Sequence, residues 1–122
     1  MMRFPFWLGQ DMKPYMGRES DLPFDQHMLK ALVAPRILID TEALSDAWAN
    51  PYGTYVTYEM AKEVYKLLGA EENMLIHYRD GYHYHKPEDF AILLNVMRHF
   101  RDGEALNENI NQPPFAEVPP AQ

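Results

Sequence analysis

The spacing of apolar and polar positions along the chain predicts five helices and strands. Two short apolar runs, 36–41 and 73–79, have the length and the β-branched content of strands that are buried on both faces. Three segments with apolar residues at helical spacing, 24–33, 54–68 and 87–101, precede, separate and follow these runs. The order helix, strand, helix, strand, helix predicts two parallel strands joined by a right-handed crossover.

The second and third predicted helices each carry apolar residues along one side. Gly69 ends the second helix, and Pro87 begins the third with acidic residues in its first turn. The apolar side consists of Val56, Met60, Val64, Leu67 and Leu68 in the second helix and of Phe90, Leu93, Leu94, Met97 and Phe100 in the third. We expect these sides to be the buried ones.

The two ends of the chain lack a periodic pattern. Residues 1–22 are interrupted by prolines and glycines, yet they are so rich in aromatic and methionine side chains that we expect them to pack against this domain or another part of the protein. From Asn107 onward, amides, glutamates and four prolines leave too little apolar surface to fold. The sequence therefore predicts one domain over 1–106 and a flexible tail over 107–122.

Length, composition and charge narrow the possible functions. The 122 residues allow one domain at most, and 47% hydrophobic residues are enough for a globular core. The formal net charge of −7 argues against nucleic acid or an anionic membrane as a partner, because both require a basic surface. The absence of cysteine excludes disulfides and thiolate metal sites.

No segment of the sequence predicts membrane insertion or export. The apolar runs are far shorter than the roughly 20 residues of a membrane helix. The N-terminal stretch MMRFPFWLGQDMKP lacks an apolar core followed by a small-residue cleavage site, so we do not expect it to be a signal peptide. The cellular location therefore stays unknown.

Polar loops follow both predicted strands and bring an acid and a histidine to one edge of the sheet. Asp46 comes after the first strand and His83 after the second, and the carboxyl ends of adjacent parallel strands meet at the same edge. An acid and then a histidine, in this order, form the second half of the catalytic triad of an α/β-hydrolase. The sequence therefore predicts an α/β fold, the C-terminal portion of an α/β-hydrolase, with His83 as general base and Asp46 as the acid that orients it.

The nucleophile of such a triad is missing from the sequence. Ser20 and Ser45 are the only serines, and neither lies in a G-x-S-x-G-like turn between a strand and a helix. The chain thus carries the acid and the base of a hydrolase without its nucleophile, and we expect it to be inactive alone.

Other interpretations of the same loops stay open. Glu42 lies closer to the first strand and competes with Asp46 as the acid. His83 and His85 form an H-x-H pair that could hold a metal ion together with Asp46 or Glu42. No further ligand follows at a spacing that is typical of metal sites. Trp48 is either a platform for a sugar ring or a cover over the crossover helix. The histidine region is alternatively a polar turn without catalytic function.

Five sequence blocks resemble, in order, the C-terminal third of bacterial glucuronoyl esterases. The blocks are LPFDQH (22–27), ALVAPR (31–36), DAWANPYG (46–53), VYKLLG (64–69) and HYRDGYHYH (77–85). The similarity extends from about Arg3 to Phe100. This resemblance implies a serine α/β-hydrolase of the carbohydrate esterase class, which cleaves the ester between lignin alcohols and the glucuronic acid side chains of xylan.

The resemblance also implies roles for single residues. His83 matches the catalytic histidine, and Asp46 matches an acid found in many bacterial members, whereas others use a glutamate nearer the nucleophile. Trp48 matches a tryptophan that lines the sugar pocket. Tyr82 stands where a second glycine is common, and Lys86 stands where a threonine is common. The nucleophile, its neighbouring arginine and the donors of the oxyanion hole have no counterpart in this sequence.

We therefore expect a fragment of a serine carbohydrate esterase, which in the intact protein acts on a carbohydrate ester and requires no cofactor. The family that it resembles is commonly exported. The alternatives are a non-catalytic binding or self-association module and a small metal-binding protein that uses His83 and His85. Because two parallel strands leave an edge unpaired, we also expect a homo-oligomer formed through strand 36–41 or the apolar segment 4–16.

Overall fold

The structure, a computed structural model, describes residues 9–115. Within these residues the helices and strands follow the predicted order: α1 (Gln26–Ala31), β1 (Leu38–Ala43), α2 (Pro51–Leu67), β2 (Met74–Arg79) and α3 (Pro87–Asp102). Short 3-10 helices lie at Gln10–Tyr15, Glu19–Asp21 and Glu71–Asn73. None of the helices in this part of the chain is both long and apolar enough to cross a membrane.

β1 and β2 form a parallel pair that is connected by α2. The two six-residue strands are paired along their whole length, beginning with Leu38 opposite Met74. This arrangement confirms the predicted order of elements and the parallel direction of the strands. β1 begins two residues later than predicted, because the N–H of Arg36 still donates to the carbonyl of Val33 in the turn after α1 (3.0 Å).

α2 begins earlier than the sequence predicts, at a cap formed by Asn50. The Oδ1 atom of Asn50 accepts a hydrogen bond from the N–H of Gly53 (3.1 Å), and a proline occupies the first helical position, where its missing N–H has no intrahelical partner to lose. Asn50 has a φ of 59°, a left-handed conformation that asparagine tolerates better than most residues. The loop that carries Asp46 and Trp48 is therefore confined to residues 44–50.

The sheet separates two apolar clusters. On the α2 side, Met74 and Ile76 of β2 pack against tyrosine and alanine side chains of the helix. On the α3 side, Leu75 packs against Ile92 and Val96. Successive residues of a strand face opposite sides of the sheet, which explains this division.

The buried sides of the two long helices differ from the predicted ones. The sheet-facing side is formed by Tyr55, Tyr58, Ala61 and Tyr65 in α2 and by Asp89, Ile92 and Val96 in α3. Members of the predicted sides are exposed instead, namely Val64, Leu67 and Leu68 in α2 and Phe90, Leu94 and Met97 in α3. The expectation is wrong because three tyrosine rings, which bury more apolar area than aliphatic side chains, face the sheet in α2.

The segment that follows α3 differs from the predicted flexible tail over residues 107–115. Ile110 is 5% exposed and forms an antiparallel bridge with His77. The ring centroid of Phe115 lies 5.6 Å from that of Tyr55, and the two rings are stacked. Composition does not predict these contacts, because two apolar side chains are enough to anchor an otherwise polar segment.

Two parts of the predicted flanks lie outside the described residues. These are residues 1–8 of the apolar N-terminal segment and residues 116–122 of the tail. The described remainder of the N-terminal segment forms the two 3-10 helices Gln10–Tyr15 and Glu19–Asp21, and neither contains a fully buried residue. The prediction that 1–106 is one domain stays a prediction.

Candidate active site

Asp46 and His83 lie in contact at the carboxyl edge of the two strands. The Nδ1 atom of His83 is 2.6 Å from Oδ2 of Asp46. Asp46 follows β1 and His83 follows β2, so the parallel pairing of the strands brings the two loops to the same edge. The side chain of Asp46 is 10% exposed, whereas that of His83 is 72% exposed. A mostly buried carboxylate thus supports an accessible imidazole.

Backbone hydrogen bonds tie the two loops together. The N–H of Leu44 donates to the carbonyl of Arg79 (2.9 Å), and the N–H of Ser45 donates to the carbonyl of Gly81 (3.0 Å). These bonds continue the pairing of β1 and β2 beyond the ends of the strands. They set the position of Asp46 relative to the loop that carries the histidine.

The carboxylate of Asp46 is oriented by the turn in which it lies. The N–H of Asp46 donates to the carbonyl of Ala43 (3.0 Å). The N–H of Ala49 donates to the carbonyl of Asp46 (3.0 Å) and also to its Oδ1 (3.3 Å). Because Oδ1 is held by the backbone, Oδ2 is the oxygen that faces His83.

The contact determines which nitrogen of His83 carries the proton in the neutral ring. An ionised carboxylate only accepts hydrogen bonds, so Nδ1–H donates to Oδ2 of Asp46. Nε2 then keeps its lone pair and can take a proton from a hydroxyl group within hydrogen-bond distance of it. The exposure of the ring leaves room for such a group.

Glu42 lies near this pair but binds a different partner. Its Oε1 atom accepts a hydrogen bond from Oγ1 of Thr54 on α2 (2.5 Å). Burial raises the pKa of Glu42 above its ordinary value, and the hydrogen bond from Thr54 offsets this effect only in part. Of the two acids that the sequence left open, Asp46 is the one in contact with His83.

His85 lines the same cavity as His83 but contacts another carboxylate. Both histidines contribute to a cavity of about 310 Å³. The Nδ1 atom of His85 is 3.7 Å from Oδ2 of Asp89, and its ring lies 5.8 Å from that of Phe90. Within residues 9–115, no group of three His, Cys, Asp or Glu side chains is arranged to hold a metal ion. The geometry therefore gives no support to the metal-site alternative.

Trp48 lies beside His83. The centroids of the two rings are 5.9 Å apart, and their planes are inclined by 56°. Trp48 is 57% exposed, which disfavours the alternative in which it covers the crossover helix. An exposed indole next to a candidate base offers a flat apolar surface on which a sugar ring could stack.

The two serines are not part of this contact. Ser20 belongs to the 3-10 helix Glu19–Asp21, and Ser45 precedes Asp46 in the turn after β1. Within the described part of the chain, no side-chain hydrogen bond joins either serine to His83. The described chain thus presents the acid and base geometry of a triad without the third member.

Arg79 and Asp89, which the sequence pattern did not mark as functional residues, form a buried ion pair at the base of the histidine loop. Nε of Arg79 donates to both carboxylate oxygens of Asp89 (2.6 and 2.8 Å), and the two side chains are 8% and 2% exposed. Burial by itself would raise the pKa of Asp89, but the hydrogen bonds from Arg79 and from the N–H of Lys86 outweigh it, so the pKa is lowered. A sequence signal does exist: an arginine ends an apolar strand, and an aspartate occupies the third position of the next helix.

Comparisons with known proteins identify esterases that are similar to this chain. The profile of the family described as fungal glucuronyl esterases matches residues 2–69. A carbohydrate esterase from an unknown prokaryotic organism is 33% identical over a match that covers 84% of this chain and 27% of that protein. A 4-O-methyl-glucuronoyl methylesterase from Podospora anserina is 33% identical over 67 residues, which cover 55% of this chain and 14% of that protein.

A solved structure shares the fold. The glucuronoyl esterase of carbohydrate esterase family 15 from Caldicellulosiruptor kristjansonii superposes with a TM-score of 0.78 at 37% identity, over 81% of this chain and 26% of that chain. The fold is therefore that of part of an α/β-hydrolase, as the sequence predicts. The chain spans only about a quarter of the length of these two esterases, 27% and 26%. The profile match and the superposition together show that the chain belongs to the glucuronoyl esterase family.

Proposed function

We propose that the intact protein hydrolyses carbohydrate esters by a serine mechanism in which His83 is the general base and Asp46 is the acid that supports it. The observation that carries this proposal is the 2.6 Å contact between Nδ1 of His83 and Oδ2 of Asp46. Membership of the family supports the proposal, because the relatives are named as esterases.

The reaction follows from the chemistry of this pair. A serine hydroxyl, supplied by a part of the protein that this chain does not span, attacks the ester carbonyl carbon while its proton passes to Nε2 of His83. Asp46 stabilises the imidazolium that forms. The bond to the alcohol then breaks, and the alcohol takes the proton from Nε2. A water molecule, deprotonated by His83, hydrolyses the acyl-enzyme in the same two steps and releases the carboxylic acid.

We propose an ester of a glucuronic acid as the substrate class. Relatives from Podospora anserina and Phanerochaete chrysosporium are named 4-O-methyl-glucuronoyl methylesterases. Within this chain we assign sugar binding to Trp48, because its exposed indole lies next to the His83 ring. A uronate that stacks on the indole would present its ester group to the base. The lignin–xylan ester that the sequence resemblance implies belongs to this class.

The experiment compares the chain alone with a completed enzyme. The completed enzyme is a chimera in which this chain replaces the matching segment of the Caldicellulosiruptor kristjansonii esterase. With the methyl ester of glucuronic acid as substrate, we expect turnover by the chimera and none by the chain alone, because the chain has no nucleophile. Turnover by the chain alone that His83→Ala abolishes would contradict the proposal. So would a folded but inactive chimera assayed beside the active parent esterase.

Self-association is a second candidate function, and it is favoured by the open edge of β1. Within residues 9–115, β1 pairs with β2 and with no other strand. Within this range no strand covers its other edge, and an uncovered strand edge is a template for pairing with another chain. Ile37 and Met97, which are 45% and 64% exposed, line an apolar groove of about 620 Å³ between β1 and α3. A second copy of the chain that pairs along this edge in a twofold arrangement would cover both the edge and the groove.

A further inference from the structure

We infer that Arg79 is a positioning residue for His83: it holds the loop between β2 and α3 so that the imidazole stays against Asp46. Arg79 is the last residue of β2, and it acts through the backbone of the loop rather than through the ring of His83. The inference rests on the proposed function only for the role of His83 as a base. The geometry of the loop is independent of any reaction.

The guanidinium of Arg79 binds three carbonyl groups of the loop. Nη2 donates to the carbonyl of Tyr84 (2.6 Å) and to that of Tyr82 (3.3 Å), and Nη1 donates to the carbonyl of Asp80 (3.2 Å). Tyr82 and Tyr84 are the chain neighbours of His83. The backbone on both sides of the candidate base is therefore tethered to one side chain.

Asp89 fixes the same guanidinium from within the protein. Both of its carboxylate oxygens accept from Nε of Arg79 (2.6 and 2.8 Å), and Oδ2 also accepts from the N–H of Lys86 (2.7 Å). Lys86 is the capping residue that immediately precedes α3. One buried carboxylate thus joins the end of β2 to the start of α3, which are the two ends of the loop.

Gly81 allows the loop to pass close to the guanidinium. Its φ is 119°, a conformation that residues with a side chain rarely adopt. A Cβ atom at this position would lie 3.0 Å from Nη1 of Arg79 and 2.9 Å from Nζ of Lys86. The backbone of the loop is therefore packed directly onto Arg79.

Only arginine can make this set of contacts. Its N–H donors are fixed in a rigid planar guanidinium group, whereas lysine carries its donors on a single ammonium group at the end of a flexible side chain. A lysine at position 79 keeps a positive charge for Asp89 but cannot reach the carbonyls of Tyr82 and Tyr84 at the same time. Arg79→Lys therefore separates the tethering of the loop from the neutralisation of the buried carboxylate. In the active chimera, this change should lower kcat by up to roughly 100-fold and leave KM nearly unchanged.

The decisive measurement is the NMR spectrum of the His83 ring nitrogens in the full 122-residue chain. In the unmodified chain we expect the neutral ring in the Nδ1–H form, with well separated shifts for the two nitrogens. In Arg79→Lys the two shifts should move towards each other, because the ring leaves Asp46 and exchanges tautomers. Arg101→Lys is the matched control, since it makes the same change in an exposed ion pair with Asp102, and it should leave His83 unchanged.

Thermal melting shows whether each variant is folded. A folded Arg79→Lys chain with an unaltered His83 spectrum overturns the inference. If this variant does not fold, the unmodified chain provides a second measurement. The tethered guanidinium of Arg79 should show separate Nη proton signals, whereas the signals of Arg101 are averaged by rotation, and averaged signals for Arg79 overturn the inference. Because neither NMR measurement depends on ester turnover, an inactive chimera would reject the proposed function without altering either spectroscopic result.

Discussion

Asn111 and the backbone of Ile76 form a reciprocal hydrogen-bonded contact at the outer edge of β2. The N–H of Ile76 donates to Oδ1 of Asn111 (3.0 Å), and the N–H of Asn111 donates to the carbonyl of Ile76 (2.8 Å). The preceding residue, Ile110, is buried. The segment after α3 therefore takes the place of a neighbouring strand at this edge.

Replacement of Asn111 by glycine should destabilise the fold. Asn111→Gly leaves the N–H of the buried residue Ile76 without its acceptor, so we expect the free energy of unfolding to fall by about 1 kcal/mol. Glycine is the appropriate replacement because Asn111 has a φ of 61°. Urea unfolding measures the loss, and Asn109→Gly, at an exposed position of the same segment, is the control for added backbone freedom. Equal losses for the two variants would contradict the role of the Asn111 side chain.

The order and direction of the elements could be predicted from the sequence, because they follow from local periodicity and from the handedness of crossovers. The meeting of Asp46 and His83 could be predicted on the same ground. The buried sides of the helices could not. Tyr55 and Val56 are adjacent and both apolar, and periodicity does not state which of two overlapping apolar sides faces the sheet.

The partners of individual polar groups were not predicted either, although the arginine at the end of β2 and the aspartate at the start of α3 are visible in the sequence. The pairs Arg79–Asp89 and Asn111–Ile76 have no periodic signature, and composition assigned Asn111 to a flexible tail. The choice between two candidate acids depended on Thr54, because its hydroxyl group engages Glu42. Such choices depend on the relative placement of helices and strands, which local patterns leave open.

Two carboxylates should change stability with pH in opposite directions. Although burial opposes it, the hydrogen bonds from Arg79 and Lys86 hold the pKa of Asp89 below its ordinary value of 3.8. The stability that Asp89 contributes is therefore present above that pH and is lost as the pH falls through the folded-state pKa. Burial raises the pKa of Glu42 above its ordinary value of 4.5. Its ionised form therefore destabilises the fold at neutral pH, and this effect is relieved as the pH falls through the raised pKa.

Thermal melts of Asp89→Asn and Glu42→Gln between about pH 3 and pH 7 test this contrast. Asp89→Asn should be destabilised at pH 7 by roughly 3–5 kcal/mol, because it leaves the buried guanidinium of Arg79 unpaired, and it should lose less stability on acidification than the unmodified chain. Glu42→Gln should be at least as stable as the unmodified chain at pH 7, with an advantage that shrinks in acid. If both variants changed stability at pH 7 in the same direction, the opposite roles assigned to Asp89 and Glu42 would be wrong.

The chain alone should self-associate through the open edge of β1. Ile37→Lys places a charge beside that edge and should weaken association, because charged side chains block strand pairing. Leu67→Lys introduces the same charge on α2, at a residue that is 84% exposed, and should have no effect. Sedimentation across a concentration series measures the average mass. A monomer at every concentration would show that the edge is covered within one chain and would reject the prediction.

Asp46 should matter more for turnover than Glu42. In the active chimera, Asp46→Asn removes the acceptor that orients His83, and we expect kcat to fall by roughly 100- to 10,000-fold. Glu42→Gln preserves the hydrogen bond with Thr54 and should alter kcat by less than about threefold. The reverse ranking would assign the acid to Glu42. If kcat fell only slightly in both variants, the carboxylate that supports His83 would come from outside this chain.

The most direct test of the account is the hydrolysis of the methyl ester of glucuronic acid by the chimera carrying His83→Ala or His85→Ala. The two histidines are two residues apart, but only His83 contacts Asp46. We predict that His83→Ala lowers kcat by roughly 10,000-fold or more and that His85→Ala lowers it by less than about tenfold. Comparable losses in both variants, or turnover retained by His83→Ala, would contradict the assignment of His83 as the base.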